Sequence, residues 1–567
     1  MVGEGGSMMA EADAKILECL QSGKSFLLDA AAGSGKTSSL IRALDHIRGE
    51  PRATLIQNAQ RVACITYTNV AKQEIIERTE NDVIFEVSTI HDFMWREIQG
   101  FQRELKSALL TLNAELKATS RRKQDAAELE HAMKTVRAIS YSDRGANFLE
   151  GRIFHDDLIE LAHVIFKTYP MMSKLIAARY PFIFVDEYQD THPKVVEILM
   201  SHIAKTEKPP VIGFFGDKMQ SIYPGVIGEM PTAHEALLET IQKQENYRCS
   251  EAVIAVLNRL RTDIQQVAAG DNSPGAAVYV DMSAVAEGAD VTGIASQAVA
   301  DKLGLDLEGE IKFLFLTHRL IARKARYEAL WTSYNERGGF ARERFQSGED
   351  PIAAFFLYQL EPLLTAWREG KVSKAISLIG TKNRSLSGKQ EKARVSAALN
   401  ELVALVDAGA IIGDVLRKAR DIIPLTDDLD IALDPPPMTS VEADPAEARF
   451  LAFLEKLVEI PYVEVSNFRA VFDENLPYTT KHGVKGDEFD NVFVILDDPG
   501  ANWNQYSFGK LLSGVDTSAS REKRTRNLFY VCCSRARVNL VVVNLAPMGD
   551  AASKIGTLFG KDFVVSV

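Results

Sequence analysis

The run Ala30-Ala31-Ala32-Gly33-Ser34-Gly35-Lys36-Thr37 carries the residue types that cradle a polyphosphate. It follows the apolar run Phe26-Leu27-Leu28, which predicts a strand, and it precedes residues 38–47, which predict a helix. Small residues between a strand and a helix let backbone N–H groups turn inward, and the helix N-terminus adds its positive dipole end. Lys36 can then reach the β and γ phosphates, and Thr37 can hold Mg²⁺. A second chemical element lies at Phe182-Ile183-Phe184-Val185-Asp186-Glu187. Four apolar residues running into two carboxylates put both at the carboxyl edge of a sheet, where ligands of open α/β folds bind. There Asp186 would hold the metal and Glu187 would orient or deprotonate an attacking water.

These groups need a sheet to position them, and the chain supplies the strands. Continuous apolar runs at residues 61–67, 182–186 and 211–217 extend the arrangement begun at Phe26, as strands buried on both faces of a parallel sheet do. A second series at 277–281, 311–317, 492–496 and 540–544 predicts a second α/β core. Two helical insertions separate them. One, from about residue 95 to 148, has a basic cluster of Lys117, Arg121, Arg122, Lys123, Lys134 and Arg137, and the other, about 321 to 467, is broken by Pro435-Pro436-Pro437. Insertions of this size form subdomains more often than structureless loops.

At 567 residues the chain is too long for a single core. Its composition, 46% hydrophobic and 25% charged, is that of a globular protein, and no apolar run is long enough to span a bilayer. Cytoplasmic location and no membrane partner are therefore expected. The five cysteines include no C-x-x-C pair, so buried thiols are expected instead of a disulfide or metal framework. A net charge of -12 excludes a uniformly basic coat but leaves room for a local basic channel.

Taken in order, these and further motifs resemble those of superfamily 1A DNA helicases of the UvrD/PcrA/Rep type. The phosphate loop with Ala30 first has the form seen in that family. Thr66-Tyr67-Thr68-Asn69 resembles motif Ia, Ser88-Thr89-Ile90-His91-Asp92-Phe93 resembles Ib, and residues 186–191, DEYQDT, resemble motif II. Gly216-Asp217-Lys218-Met219-Gln220-Ser221-Ile222-Tyr223 resembles motif III and Asn246-Tyr247-Arg248 motif IV. Residues 480–489, from Thr480 to Phe489, resemble motif V, and residues 528–537, LFYVCCSRAR, resemble motif VI.

The resemblance implies two RecA-like parallel-sheet P-loop cores, 1A (1–94 and 149–245) and 2A (246–320 and 468–567), with helical insertions 1B (95–148) and 2B (321–467). It implies ATP and Mg²⁺ as cofactors, with Ala32, Gly33, Ser34, Gly35, Lys36 and Thr37 around the phosphates, Tyr247 on adenine and Glu488 on ribose. Catalysis would fall to Asp186, Glu187, Gln220, Arg248 and Arg535, the metal to Thr37 and Asp186. The two arginines, assigned to the second core, are arginine-finger candidates, an element worth about 10³ to 10⁵ in rate. Tyr67, Asn69, His91, Phe93, Tyr223 and His482 would face DNA.

Two departures stand out. After Tyr223 the family continues Gly-Trp-Arg-Gly-Ala, whereas this chain reads Pro224-Gly225-Val226-Ile227-Gly228 and so loses a stacking platform. Lys15 falls near the family's adenine-reading glutamine. The chain ends soon after its last predicted strand, so no fused nuclease domain is expected. The expected activity is a 3′-to-5′ helicase or translocase on single-stranded DNA and duplex junctions. The alternative is a DNA-stimulated regulatory ATPase controlling a separate nuclease encoded nearby, since compact UvrD-like proteins occur beside such nucleases in antiviral defence systems such as Gabija.

Overall fold

A computed structural model describes residues 11–567 apart from Glu50, Arg121, 143–145, Pro224, 287–288, 305–306, 308–309, Leu316, 380–387, 436–444, 474–477, 481–486, 499–504 and 548–550. His482 and most of the residues resembling motif V lie outside the described residues, as do Pro224, Arg121, Pro436 and Pro437. The chain divides into two units, residues 1–278, 505–540 and 548–564 in the first and 279–504, 541–547 and 565–567 in the second.

The first unit is built on six strands: β1 Phe26–Ala30, β2 Val62–Thr66, β3 Phe85–Thr89, β4 Phe182–Asp186, β5 Val211–Gly216 and β6 Glu239–Lys243. They lie in the order β3-β2-β4-β5-β1-β6, and every pairing is parallel. Alternate side chains of each strand point to opposite faces. Leu27, Ile65, Ile183, Val185 and Phe214 join one core with the helices Ile90–Ile98, Gln102–Glu115 and His155–Thr168. Phe26, Leu28, Cys64, Phe184 and Phe215 join another with Leu40, Leu44 and Ile47 of the helix Lys36–Arg48. Burial on both faces is why the central strands read as unbroken apolar runs.

The edges differ. In β6, Glu239–Lys243, only Ile241 and Lys243 are buried. Lys243 is nonetheless fully enclosed, donating to Ser39 Oγ at 2.6 Å and to both oxygens of Asp13 at 3.3 Å. That buried pair ties the edge strand to the helix Glu11–Ser22 and to the helix that follows the phosphate loop.

Parts of the first insertion are held by its own charges. Arg122 pairs with the buried Asp157, and Lys123 Nζ donates to the carbonyls of Asn113, Ala114 and Leu116, closing the C-terminal turn of Gln102–Glu115. Lys134 pairs with Glu130 on its own helix at 3.2 Å.

A second sheet consists of β7 Ala276–Asp281, β8 Ile311–Phe315, β9 Tyr478–Thr480, β10 Phe489–Leu496, β11 Ala536–Asn544 and β12 Val564–Ser566, in the order β9-β8-β10-β11-β7-β12. β8 pairs in parallel with both neighbours. Strands β7, β11 and β12 begin in the first unit and end in the second. Between β8 and β9 the described chain is helical, with Phe345 stacked between Tyr334 at 4.2 Å and Phe468 at 4.1 Å. The protein is thus an α/β chain with two RecA-like parallel-sheet cores and helical insertions.

Candidate functional site

The parallel register of the first sheet brings the chemical groups to one edge. Asp29 lies beside Gly216 and Asp186 beside Phe215, so the strand ends carrying the phosphate loop, the acidic pair and the residues after Gly216 are neighbours. The loop follows β1, and its helix starts at Lys36. Gly33 has φ +74°, and a Cβ there would stand 2.6 Å from Asn246 Oδ1, so no other residue fits without moving Asn246.

The loop is braced from outside by residues distant in sequence. Tyr247 N–H donates to Gly33 O at 2.9 Å, while Asn246 Nδ2 and Gln266 Nε2 donate to Ala32 O at 3.1 and 2.7 Å. Ala32 N–H donates to Tyr530 Oη at 3.0 Å. Ala32, expected to offer its amide to a phosphate, therefore spends that amide on Tyr530 and serves as the loop's anchor. Ser34 Oγ, by contrast, is buried and has no hydrogen-bond partner, an orphaned donor of the kind a phosphate oxygen satisfies. Thr37 and Asp186 together supply a hydroxyl and a carboxylate, the hard oxygen ligands that suit Mg²⁺. These residues fit a nucleotide with its divalent ion.

Asp186 is buried. Its burial and the neighbouring Glu187 raise its carboxyl well above the usual range, with Lys36 pulling the other way. Glu187 sits at φ 50°, in the left-handed region that non-glycine residues rarely adopt, and its carboxylate accepts from Gln189 Nε2. Gln189 Oε1 in turn accepts Asp217 N–H at 3.0 Å. Gly216 allows this: a Cβ there would lie 2.2 Å from Gln189 Oε1 and 2.4 Å from Tyr188.

Gln220 and Arg535 are buried, and Arg535 Nη2 donates to Gln220 Oε1 at 3.4 Å. Burial and then the nearby Arg248 lower the Arg535 guanidinium to about 10, with Glu187 opposing them. Glu187, Gln220, Arg248 and Arg535 therefore converge in one electrostatic neighbourhood of the first unit. The segments bearing Arg248 and Arg535, read from the sequence as part of the second core, cluster with the first sheet. Tyr247 stays half exposed, its ring edge 4.0 Å from where a Cβ of Gly35 would be. Glu488 is exposed just before β10, in the second unit.

Sequence reading missed one residue at the centre of this arrangement. Arg261, 1% exposed, donates to Asp217 Oδ1 at 3.2 Å, to Tyr530 Oη at 3.0 Å and to both oxygens of Asp263 at 3.0 and 3.1 Å. It lies over the Tyr530 ring, 5.3 Å from the centroid. Through Asp217, which also accepts from Gln220 Nε2 at 3.0 Å, it links Gln220 to Tyr530 and so to Ala32. The one local signal was a charged residue closing the apolar helix Glu251–Leu260 two positions before an aspartate.

Of the residues expected to face DNA, Tyr67 and Tyr223 stack on each other at 5.5 Å and 27°. Tyr67 is 40% exposed, and Asn69 is exposed at the start of the next helix. His91 is half-buried, edge-on to His155 at 5.0 Å. Phe93 is a core residue, 1% exposed and packed on Tyr180, with no ring face left for a base.

The fold and this site resemble those of P-loop NTPases of the UvrD/PcrA helicase type, in line with the motif resemblance. A family model described as an AAA domain matches residues 14–226. The chain is similar to the Gabija protein GajB of Bacillus cereus (strain HuB5-5), 26% identical over 96% of this chain and 96% of that protein. It is also similar to the ATP-dependent DNA helicase PcrA of Bacillus subtilis (strain 168), 26% identical, and of Staphylococcus aureus (strain Mu50 / ATCC 700699), 24% identical, over 41% of this chain and 37% of each helicase. Among the described residues no helix is long and apolar enough to cross a membrane.

Proposed function

We propose that this chain hydrolyses ATP with Mg²⁺ and couples hydrolysis to 3′-to-5′ movement along single-stranded DNA. The supporting observation is the gathering of Lys36, Arg248 and Arg535 around an acidic pair, Asp186 and Glu187, at the end of a phosphate loop. Three cations around one buried and one half-buried carboxylate are poised for a polyanion that also brings a divalent ion.

In this reading the loop amides from Gly33 to Thr37 and Lys36 orient the β and γ phosphates, and Tyr247 covers the adenine. Mg²⁺, held by Thr37 and Asp186, supplies charge neutralisation across the phosphates. Glu187 aligns the attacking water and takes its proton. Arg248 and Arg535 offset charge that develops during transfer. Gln220, bonded to both Arg535 and Asp217, carries the change at the phosphates toward Tyr223 and Tyr67, which stack on bases. The division into cores 1A and 2A with insertions 1B and 2B, and DNA contacts from Asn69, His91 and His482, belong to the same reading.

Lys36→Ala and Glu187→Gln are each expected to abolish ATP turnover without unfolding the chain. Retained turnover in either refutes these roles.

A second reading has a specific support, the similarity to the Gabija protein across almost the whole of both chains. There the chain is a DNA-stimulated ATPase that governs a separate nuclease in defence against phage. Strand displacement on a 3′-tailed duplex separates the two. Unwinding by the isolated chain supports the motor, and DNA-stimulated hydrolysis without unwinding supports the regulator.

A further inference from the structure

A cluster of metal-ligating side chains lies in the first unit apart from every residue of the nucleotide site. His163, on the helix His155–Thr168, and Glu197 and His202, from the segment after the acidic turn, each present one donor atom, and these atoms all lie within 4.8 Å of one another. It is the one such group among the described residues.

The backbone explains why Glu197 and His202 meet. Residues Ile198–His202 form a π-turn, in which Ile203 N–H bonds to Ile198 O, five residues back. On an ordinary α-helix, residues five apart diverge around the axis, since neighbours on one face are three and four apart. A π-turn stacks residues i and i+5, so Glu197 and His202 come to one face, toward His163. Such turns are rare and occur often at functional positions.

The two imidazoles also lack aligned hydrogen bonds. The Nε2 atoms of His163 and His202 are both buried, and neither has a hydrogen-bond partner. His163 Nε2 lies 2.9 Å from Glu197 Oε2, close but not aligned as donor and acceptor. The imidazole rings stand edge to face, 6.3 Å between centroids. The His202 nitrogen is buried without a partner and the His163 nitrogen has only its misaligned contact with the Glu197 carboxylate, an arrangement that one cation between them would satisfy.

We infer that His163, Glu197 and His202 bind a divalent transition-metal ion, Zn²⁺, that clamps the helix His155–Thr168 to the segment following the acidic turn. Imidazole selects first-row transition ions over Mg²⁺ or Ca²⁺. Two histidines and a carboxylate make a three-ligand zinc set with an open fourth position, here on the solvent side where Glu197 is 48% exposed. Ligands about 2.0–2.2 Å from a tetrahedral ion stand roughly 3.4 Å apart, so small side-chain rotations close the present arrangement.

The test uses the full chain, stripped with chelator and titrated with Zn²⁺, and with Co²⁺ as a spectroscopic stand-in. One equivalent should bind, raise the thermal midpoint and give Co²⁺ d–d bands without thiolate charge transfer. His163→Gln combined with His202→Gln should lose that equivalent while Mg²⁺-ATP hydrolysis is unchanged. Because the double variant could fold poorly, Glu197→Gln at the exposed position provides a second arm. Its affinity should fall by more than the about 10–100-fold that losing an outer-sphere partner costs. No binding, full binding by the variants, or thiolate bands from the cysteines would each overturn the assignment.

Discussion

Removing the Arg261 guanidinium should cripple the nucleotide site without touching a residue that contacts nucleotide. Arg261 pairs with Asp217, which is fully buried, and with Asp263, whose side chain is 27% exposed. Breaking a buried ion pair by deleting one partner costs about 3–5 kcal/mol. The Asp263 arm is partly screened by solvent, and Asp217 keeps its bonds from Met219 N–H and Gln220 Nε2 at 3.0 Å each. The cost of Arg261→Gln should therefore sit near the low end, about 3 kcal/mol. Tyr530 would lose both the charged donor to its hydroxyl and the cation over its ring, loosening its grip on Ala32.

The measurements are thermal unfolding and steady-state ATP hydrolysis, the latter falling about tenfold or more in kcat/KM. A double-mutant cycle with Asp217→Asn isolates the pair. Once Asp217 carries no charge, deleting Arg261 should cost less, with a coupling of about 1–3 kcal/mol. Costs that add to within about 0.5 kcal/mol, or an Arg261→Gln enzyme with normal KM and midpoint, would refute the relay.

Three further outcomes follow from the same geometry. Burial and then Asp217 raise Asp29 from 3.8 to about 6 in the folded chain, so its ionised form opposes folding. The penalty is absent below pH 3.8, grows between 3.8 and 6, and is complete above 6, where it comes to about 3 kcal/mol. Asp29→Asn should thus raise the thermal midpoint at pH 8, by less than that figure because a contact with Lys218 goes too, and the gain should vanish below pH 3.8. Tyr67→Ala or Tyr223→Ala should weaken single-stranded DNA binding by about 1–3 kcal/mol, about 5–150-fold by fluorescence anisotropy, with DNA-free hydrolysis retained. Gly216→Ala forces a methyl against Gln189 and Tyr188, and chemical denaturation should register about 1–3 kcal/mol of lost stability.

How far the sequence reveals this structure depends on how local each signal is. β1, β2, β4 and β5 were legible because strands buried on both faces carry unbroken apolar runs. β3 and β6 escaped because edge strands mix polar and apolar residues, as Phe85-Glu86-Val87-Ser88-Thr89 and Glu239-Thr240-Ile241-Gln242-Lys243 do. The phosphate loop and the acidic pair could be read because their chemistry is confined to consecutive residues. Arg261 could not, since the two partners that tie it to the site, Asp217 and Tyr530, are 44 and 269 residues away. The basic cluster of the first insertion misleads for the same reason. Its charge is visible in sequence, but the partners that occupy Arg122 and Lys123 are visible only in the fold.

The bond from Ala32 to Tyr530 also sets a timetable for synthesis. The two residues are 498 positions apart, and a ribosome adding about 5–20 residues per second needs about 25–100 s to make the second after the first. During that interval the phosphate loop has left the exit tunnel but lacks its last brace. A nascent chain therefore cannot present the finished nucleotide pocket until almost the whole protein has been made.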